Sequence, residues 1–203
     1  MNDDSKNPTC SANEDRQCVK AFQAGDKAAF DTLVLKHKDK IFNLCYWFLG
    51  DREEANDLAQ DVFIKVYRSL KKFKLKSAFS TWLYRIAANT CKNKVKSLEY
   101  RQKKKMVWID NPAGHLDFSK SSAKIQDGSP SPMIELEKKD RMMVIQKAIR
   151  SLPTEQRTVV MLRDIEGFSY EEIANITRFN LGTVKSKLSR ARLELREKLR
   201  GMI

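Results

Sequence analysis

Apolar residues return every three or four positions along most of this chain, and that period predicts helices. Ala55, Leu58, Ala59, Val62, Phe63, Val66 and Leu70 form one such stripe, the mark of a helix with a single buried face. Asp51 and the acids that follow it sit at the start of that helix, where the backbone dipole favours negative charge. A second helix is predicted over residues 28–49, with Phe30, Leu33, Val34, Ile41, Leu44, Cys45 and Phe48 inward. A third covers 79–95, with Leu83, Ile86, Ala87 and Thr90 on one face. No stretch alternates apolar and polar residues for a useful length, so the expected fold class is all-α.

The C-terminal third keeps the same period and adds punctuation. Residues 133–152 read as a helix, and Pro153 suits the first turn of the next one, where its missing N–H needs no partner. Ser169-Tyr170-Glu171-Glu172 has the form of a capping box, in which the Ser oxygen accepts a backbone N–H and Glu172 reaches back. A short helix over 170–176 follows. Asn180 can cap a last helix carrying Val184, Leu188, Ala191, Leu195 and Leu199 inward, with Lys185, Ser186, Ser189, Arg190 and Arg192 on the opposite face. Two helices joined by a turn, the second basic and exposed, predict a helix-turn-helix whose recognition helix fits a DNA major groove. The bland alternative is a basic helical hairpin. Lys, Arg and Ser, however, are side chains that reach phosphates and guanine edges.

Between the two helical stretches lie Asn111-Pro112-Ala113-Gly114 and Asp127-Gly128-Ser129-Pro130-Ser131-Pro132, which read as a linker over 97–132. The expected organisation is a polar tail over 1–14, a helical bundle over 15–96, a flexible connector, and the helix-turn-helix unit over 133–203: two small helical domains on one tether. Charge follows this division. The 203 residues carry a net charge of +13, yet residues 71–105 hold twelve basic residues against the single acid Glu99, and 178–200 hold eight against two. The remainder is net acidic, with five acids against one Arg over 51–61. Two separate basic surfaces point to a polyanion, nucleic acid above all.

Other classes fall away. The longest apolar run, 44–49, is far short of the roughly 20 residues that span a bilayer, and the acidic N-terminus lacks a signal peptide's basic start and apolar stretch. No membrane insertion and a cytoplasmic location are expected. Cys10, Cys18, Cys45 and Cys91 form no CxxC pair and only two His are present, so neither a metal site nor a disulfide framework is expected. The seven glycines never take P-loop spacing, and His37 and His115 have no HExxH or deaminase context, so no catalytic residue and no cofactor is expected.

Both halves then resemble a known family. Asp57-Leu58-Ala59-Gln60-Asp61-Val62-Phe63 and Ser80-Thr81-Trp82-Leu83-Tyr84-Arg85-Ile86-Ala87-Ala88-Asn89 resemble region two of bacterial sigma factors. Leu152-Pro153, Leu162-Arg163, Glu166 to Ala174 and Gly182-Thr183-Val184-Lys185-Ser186 resemble region four. The order and spacing are similar to the extracytoplasmic-function (ECF) group of the sigma-70 family. The resemblance implies an RNA polymerase sigma factor that binds core polymerase and directs promoter-specific initiation, in the manner of factors serving stress or envelope-responsive genes.

It also implies residue roles. Asp57, Gln60, Asp61 and Ile64 correspond to the helix that docks on a coiled coil of the polymerase beta-prime subunit, with the beta subunit a further contact. Their placement largely off the buried stripe agrees with an exposed acidic protein-binding face, while helix capping accounts for part of Asp51, Glu53 and Glu54. Lys76, Phe79, Trp82, Arg85 and Asn89 fall where the family recognises and opens the minus-ten element. Aromatics among basic residues suit unstacked single strands, although a Trp at helical spacing equally suits a core. Arg178, Thr183, Lys185, Ser186, Ser189 and Arg190 correspond to the reader of the minus-thirty-five element. Arg178 stands where the turn usually has Gly, and a non-Gly residue in a left-handed turn costs on the order of 1 kcal/mol. The family commonly adds an anti-sigma factor as partner, which no residue here demonstrates.

Reach does not forbid two-point binding. Elements some 20 base pairs apart lie roughly 70 Å along the duplex at about 3.4 Å per step. A 36-residue linker has a flexible r.m.s. span of about 30 to 36 Å and an extended limit of about 120 Å. A stand-alone helix-turn-helix repressor is the competing reading, but it would need neither the acidic helix over 57–70 nor the basic aromatic segment after it.

Overall fold

The computed structural model describes residues 8–108 and 132–200, and among them every regular element is helical. The order is α1 (Pro8–Gln23), α2 (Ala28–Leu49), α3 (Arg52–Leu70), α4 (Phe79–Trp108), α5 (Pro132–Arg150), α6 (Thr154–Val160), α7 (Tyr170–Thr177) and α8 (Leu181–Leu199). A π-helical turn, Met161–Ile165, carries α6 on toward α7.

The boundaries follow local chemistry. Gly50 ends α2 in the left-handed conformation (φ 76°), its N–H returning to the Tyr46 carbonyl at 2.7 Å. Asp51 then caps α3 by accepting the Glu54 N–H at 2.8 Å. The α3 stripe closes as its period predicts: Ala55, Leu58, Ala59, Val62, Val66 and Leu70 are buried, with Phe63 half-buried at its edge. Further on, the capping box at Ser169 is complete in both directions, and the Asn180 side chain accepts the Thr183 N–H at 2.7 Å to start α8. Pro153 stands one position before α6.

Two elements differ from the sequence pattern. Helix α1 begins at Pro8, inside the stretch expected to be a polar tail. It buries Val19 and Phe22 together with Asp15, whose carboxylate meets His37 Nε2 and Lys36 Nζ of α2, each at 2.9 Å. So short an apolar stripe carries little periodicity, and its burial depends on partners 22 residues away. Helix α4 runs on to Trp108, well into the stretch expected to be connector. Residues 97–108 contain no Gly or Pro and several good helix formers, so nothing in them stops the helix. The Pro/Gly/Ser-rich part of the expected connector lies outside the described residues, apart from Pro132.

The two halves also pack on each other. The buried apolar residues form one continuous core from Val19 to Ala191. Arg157 of α6 sends Nη1 to the Phe48 carbonyl at 3.1 Å and Nη2 to the Leu152 carbonyl at 3.1 Å, tying α6 to the end of α2. Gln146 of α5 donates to the Tyr46 carbonyl at 3.2 Å. Cys45 and Cys91 face each other across α2 and α4 with sulfurs 3.8 Å apart, both in this core, and the hydrogen bond with the Cys45 thiol, together with burial, pushes the Cys91 thiol up.

Candidate functional site

Three surfaces carry the sequence-predicted residues. The first is the outer face of α3. Asp57, Gln60, Asp61 and Ile64 are all exposed and recur at three- and four-residue spacing, so they line one face opposite the buried stripe. Ile64 is 47% exposed, an apolar side chain left uncovered beside two carboxylates. Tyr67 extends the same face one turn further and is likewise exposed, though its ring rests edge-on against Phe22 and Phe30. Its position three residues after Ile64 is the signal that could have added it to the face.

The second surface is the start of α4 with the turn before it. Lys76 and Asn89 are exposed and Arg85 half-exposed. Phe79 and Trp82 are not. Trp82 is 9% exposed and stacks on Phe73 with centroids 4.6 Å apart, while Phe79 packs against both and against the His37 ring at 5.4 Å. Of the two readings open for Trp82, the structure has the core one, and Phe79 shares it: positions 79, 82 and 83 lie on the α4 face that meets the bundle, and their side chains belong to its core. Phe79 does reach one wall of a cleft of about 330 Å³ lined also by Arg16, Leu75, Lys76 and Ser77. Leu75 turns the chain there at φ 53°, an uncommon conformation for a side-chain-bearing residue.

The third surface is α8. Arg178, Lys185, Ser186, Ser189 and Arg190 are exposed and Thr183 half-buried. Val184, Leu188 and Ala191 anchor the opposite side in the core. Arg178 adopts φ 63°, ψ 23° as the cap of α7, with its N–H on the Ala174 carbonyl at 2.8 Å, so the left-handed turn predicted for it is present without glycine. Side-chain pairs with α6, the turn after it and α7 brace the helix. Lys187 pairs with Glu155 at 2.6 Å, a hydrogen bond that holds the Glu155 carboxyl below its usual range. Arg192 pairs with Asp164, and Lys185 and Arg163 both lie over the Tyr170 ring.

Between the second and third surfaces, Tyr84 of α4 is buried and donates its hydroxyl hydrogen bond to Glu166, while its ring meets Phe168 edge-on at 4.7 Å. Burial raises the pKa of both groups. Lys92, about two turns further along α4, sits over the Phe179 ring at 5.2 Å, and burial lowers its pKa. Among the described residues no group of acids, His and Cys is placed to hold a metal ion, and no helix is long and apolar enough to cross a membrane.

The described residues thus present an exposed basic face on α8, a second basic surface at α4 and an exposed acidic face on α3, a charge layout that suits a polyanion and a protein partner. Comparison with known proteins makes the class specific. Residues 33–101 match the family Sigma-70 region 2, and residues 142–195 match Sigma-70, region 4. The chain is 40% identical over 179 residues to the RNA polymerase sigma-H factor of Pseudomonas aeruginosa, covering 88% of this chain and 90% of that one. It is 37% identical over 187 residues to the ECF RNA polymerase sigma factor SigW of Bacillus subtilis, covering 91% and 96%. A solved sigma factor RpoE, in complex with the anti-sigma factor NepR from Bartonella quintana, is 26% identical with a TM-score of 0.60, over 85% of this chain and 97% of that one. The chain belongs to the sigma-70 family, in its ECF group, and members of that family are transcription initiation factors.

Proposed function

We propose that this sigma factor works through the three surfaces in concert. The α3 face of Asp57, Gln60, Asp61 and Ile64 docks on the beta-prime coiled coil of core RNA polymerase, with further contact to the beta subunit. Lys76, Arg85 and Asn89 touch minus-ten DNA. Phe79 serves there as a wall of the cleft beside Lys76, and Trp82 props α4 from behind. Arg178, Thr183, Lys185, Ser186, Ser189 and Arg190 read the minus-thirty-five element in the major groove. The working units are the helices α1 to α4 and the helices α5 to α8, with the connector beginning after Trp108 rather than at 97. The protein acts in the cytoplasm, without catalysis or cofactor of its own, and an anti-sigma factor is a further expected partner, as the Bartonella relative has one.

The observation that supports this most is the exposed polar face of α8 opposite a buried Val184/Leu188/Ala191 anchor, combined on one chain with an exposed acidic face on α3. The test is run-off transcription by core polymerase, with and without the protein, over genomic fragments. The reading requires new, discrete start sites that depend on the protein. Asp57→Lys with Asp61→Lys should lower affinity for core by roughly 100-fold or more, the order expected when a rim of complementary charge becomes repulsive, while the helical circular dichroism signal stays unchanged. Undiminished co-purification with core would remove the docking assignment.

A further inference from the structure

Two thiols in the first half of the chain belong to none of the three surfaces. Cys45 of α2 and Cys91 of α4 are both fully buried, and their sulfurs meet at 3.8 Å although 46 positions separate them in the chain. Cys91 is the donor in that contact, and the Cys45 thiol and burial together hold its proton well above the ordinary thiol range. Lys65 of α3 is close by: its Nζ donates to Thr90 Oγ1 at 3.2 Å, and its charge pulls the other way on the Cys91 thiol. A core cysteine ordinarily acts as a small hydrophobe. Here each sulfur has, in addition, another sulfur to react with.

Bonding would be felt on the far side of α4. A disulfide holds its sulfurs about 2.05 Å apart, so this pair must close by about 1.8 Å. Rotation about the two Cα–Cβ bonds supplies part of that movement and approach of the helices the rest. Cys91 follows Asn89 by two residues, about 200° round the helix at about 100° per residue, so the turn that buries Cys91 is the turn that carries Asn89 into solvent. Arg85, four residues before Asn89, shares its face. A pull on Cys91 toward α2 therefore displaces the backbone on which both of these polar side chains stand.

We infer that Cys45 and Cys91 form a reversible two-electron redox site for a peroxide-class oxidant, and that the bridged form weakens the minus-ten surface of α4. The bond stands on the sulfur geometry, while its output rests on the minus-ten reading of Arg85 and Asn89 above. Cys91 holds its proton as donor, so Cys45 is the attacking sulfur. It bonds to one peroxide oxygen, the O–O bond breaks, and the departing hydroxide takes up the thiol proton as water, leaving Cys45 as a sulfenic acid. The Cys91 sulfur then attacks the Cys45 sulfur, the S–O bond breaks, and hydroxide leaves with the Cys91 proton as a second water. Together the thiols lose two electrons and one peroxide becomes two waters. A dithiol reductant returns both thiols by exchange and becomes a disulfide itself. Because both sulfurs are enclosed, the first step waits on a local opening of the bundle, and the site answers sustained oxidant rather than traces.

The experiment uses the full chain, wild type and Cys45→Ala, treated under native conditions with hydrogen peroxide or with dithiothreitol. Circular dichroism checks that both are folded, and the wild type compared across the two treatments carries the test by itself. Peptide mass mapping without reductant should find residues 45 and 91 joined with the loss of two hydrogen atoms, and dithiothreitol should part them. The DNA probes come from a promoter that the run-off assay finds. Its minus-ten single strand should bind the oxidised wild type about three- to tenfold more weakly, the order of one displaced hydrogen bond, and reduction should restore it. Its minus-thirty-five duplex should bind both redox forms alike, and Cys45→Ala should not respond to peroxide in either assay. No joined peptide from the folded chain, or one that forms only in urea, would overturn the redox site. A joined chain that binds the minus-ten strand as tightly as before, or loses both DNAs equally, would overturn the output at α4. So would a minus-ten loss that persists in Cys45→Ala, since another oxidised residue would then cause it. If neither redox form binds the minus-ten strand, the minus-ten reading falls and takes the output with it, while the joined peptide still upholds the redox site.

Discussion

Helices α4 and α8 are both basic and both assigned to promoter DNA, yet they hold their residues in opposite ways. Helix α8 keeps Lys185, Ser186, Ser189 and Arg190 exposed and commits only a narrow apolar seam to the core. Helix α4 gives the large side chains of its first turns to packing: Phe79, Trp82, Leu83 and Tyr84 are buried, while Lys76 in the turn before it, Arg85 and Asn89 stay nearer the surface. A reader of intact duplex needs hydrogen-bonding side chains in free solvent, so its chemistry shows on the outside. Behind α4 the aromatic cluster of Phe73, Phe79 and Trp82 instead packs the start of the helix onto the bundle.

The largest effect that could break this contrast is on stability. Trp82→Ala should cost about 3 to 5 kcal/mol, as for a buried aromatic truncated in a well-packed core. Urea unfolding measures it; a Trp82→Ala protein as stable as wild type but defective in opening DNA would place the ring on the surface after all. Next, Lys185→Ala or Arg190→Ala should each weaken minus-thirty-five binding by about 1 to 3 kcal/mol and leave the unfolding midpoint where it was. A change in stability equal to the change in binding would erase the difference between the two helices. Smaller again, Arg178→Gly should stabilise the protein by on the order of 1 kcal/mol, because φ 63° is strained for any residue with a Cβ. If it also lowers DNA affinity, Arg178 touches phosphate.

The smallest effect sharpens the contrast by way of α1. Burial works to raise the Asp15 pKa, but hydrogen bonds from His37 and Lys36 outweigh it and hold the carboxyl below its ordinary 3.8. A depressed carboxylate contributes stability that is present above its unfolded pKa and lost as pH falls through the folded one. Acid unfolding should therefore gain a component below about pH 3.8 that Asp15→Asn removes. Because the His37 ring packs on Phe79, that component belongs to the α4 side of the molecule and has no counterpart at α8.

What the sequence made legible was whatever local chemistry decides. The α3 stripe, the Ser169 capping box and the Asn180 cap all depend on residues within four positions of their neighbours, and each stands in the structure as read. The rest depended on partners far along the chain. Asp15 becomes a core residue only because α2 brings His37 and Lys36 to it. Whether Trp82 faces solvent or core depends on Phe73 arriving from the other side of a turn. Tyr84 meets Glu166 across 82 positions, a pairing for which periodicity offers no signal. Motif residues named the docking and reading faces; which of them are free to act was set by tertiary packing.

The length of α4 has a mechanical side. Cys91 fixes the helix in the core, and from there to Trp108 it continues for about 26 Å at about 1.5 Å per residue. Val95, one turn on, is also buried in the core, so the stretch beyond it, about 20 Å long, is the lever, and a tilt of about 10° there would swing its far end by roughly 3 to 4 Å on that geometry. A small adjustment at the Phe79 end of the helix is thus delivered, enlarged, to the point where the chain departs toward α5.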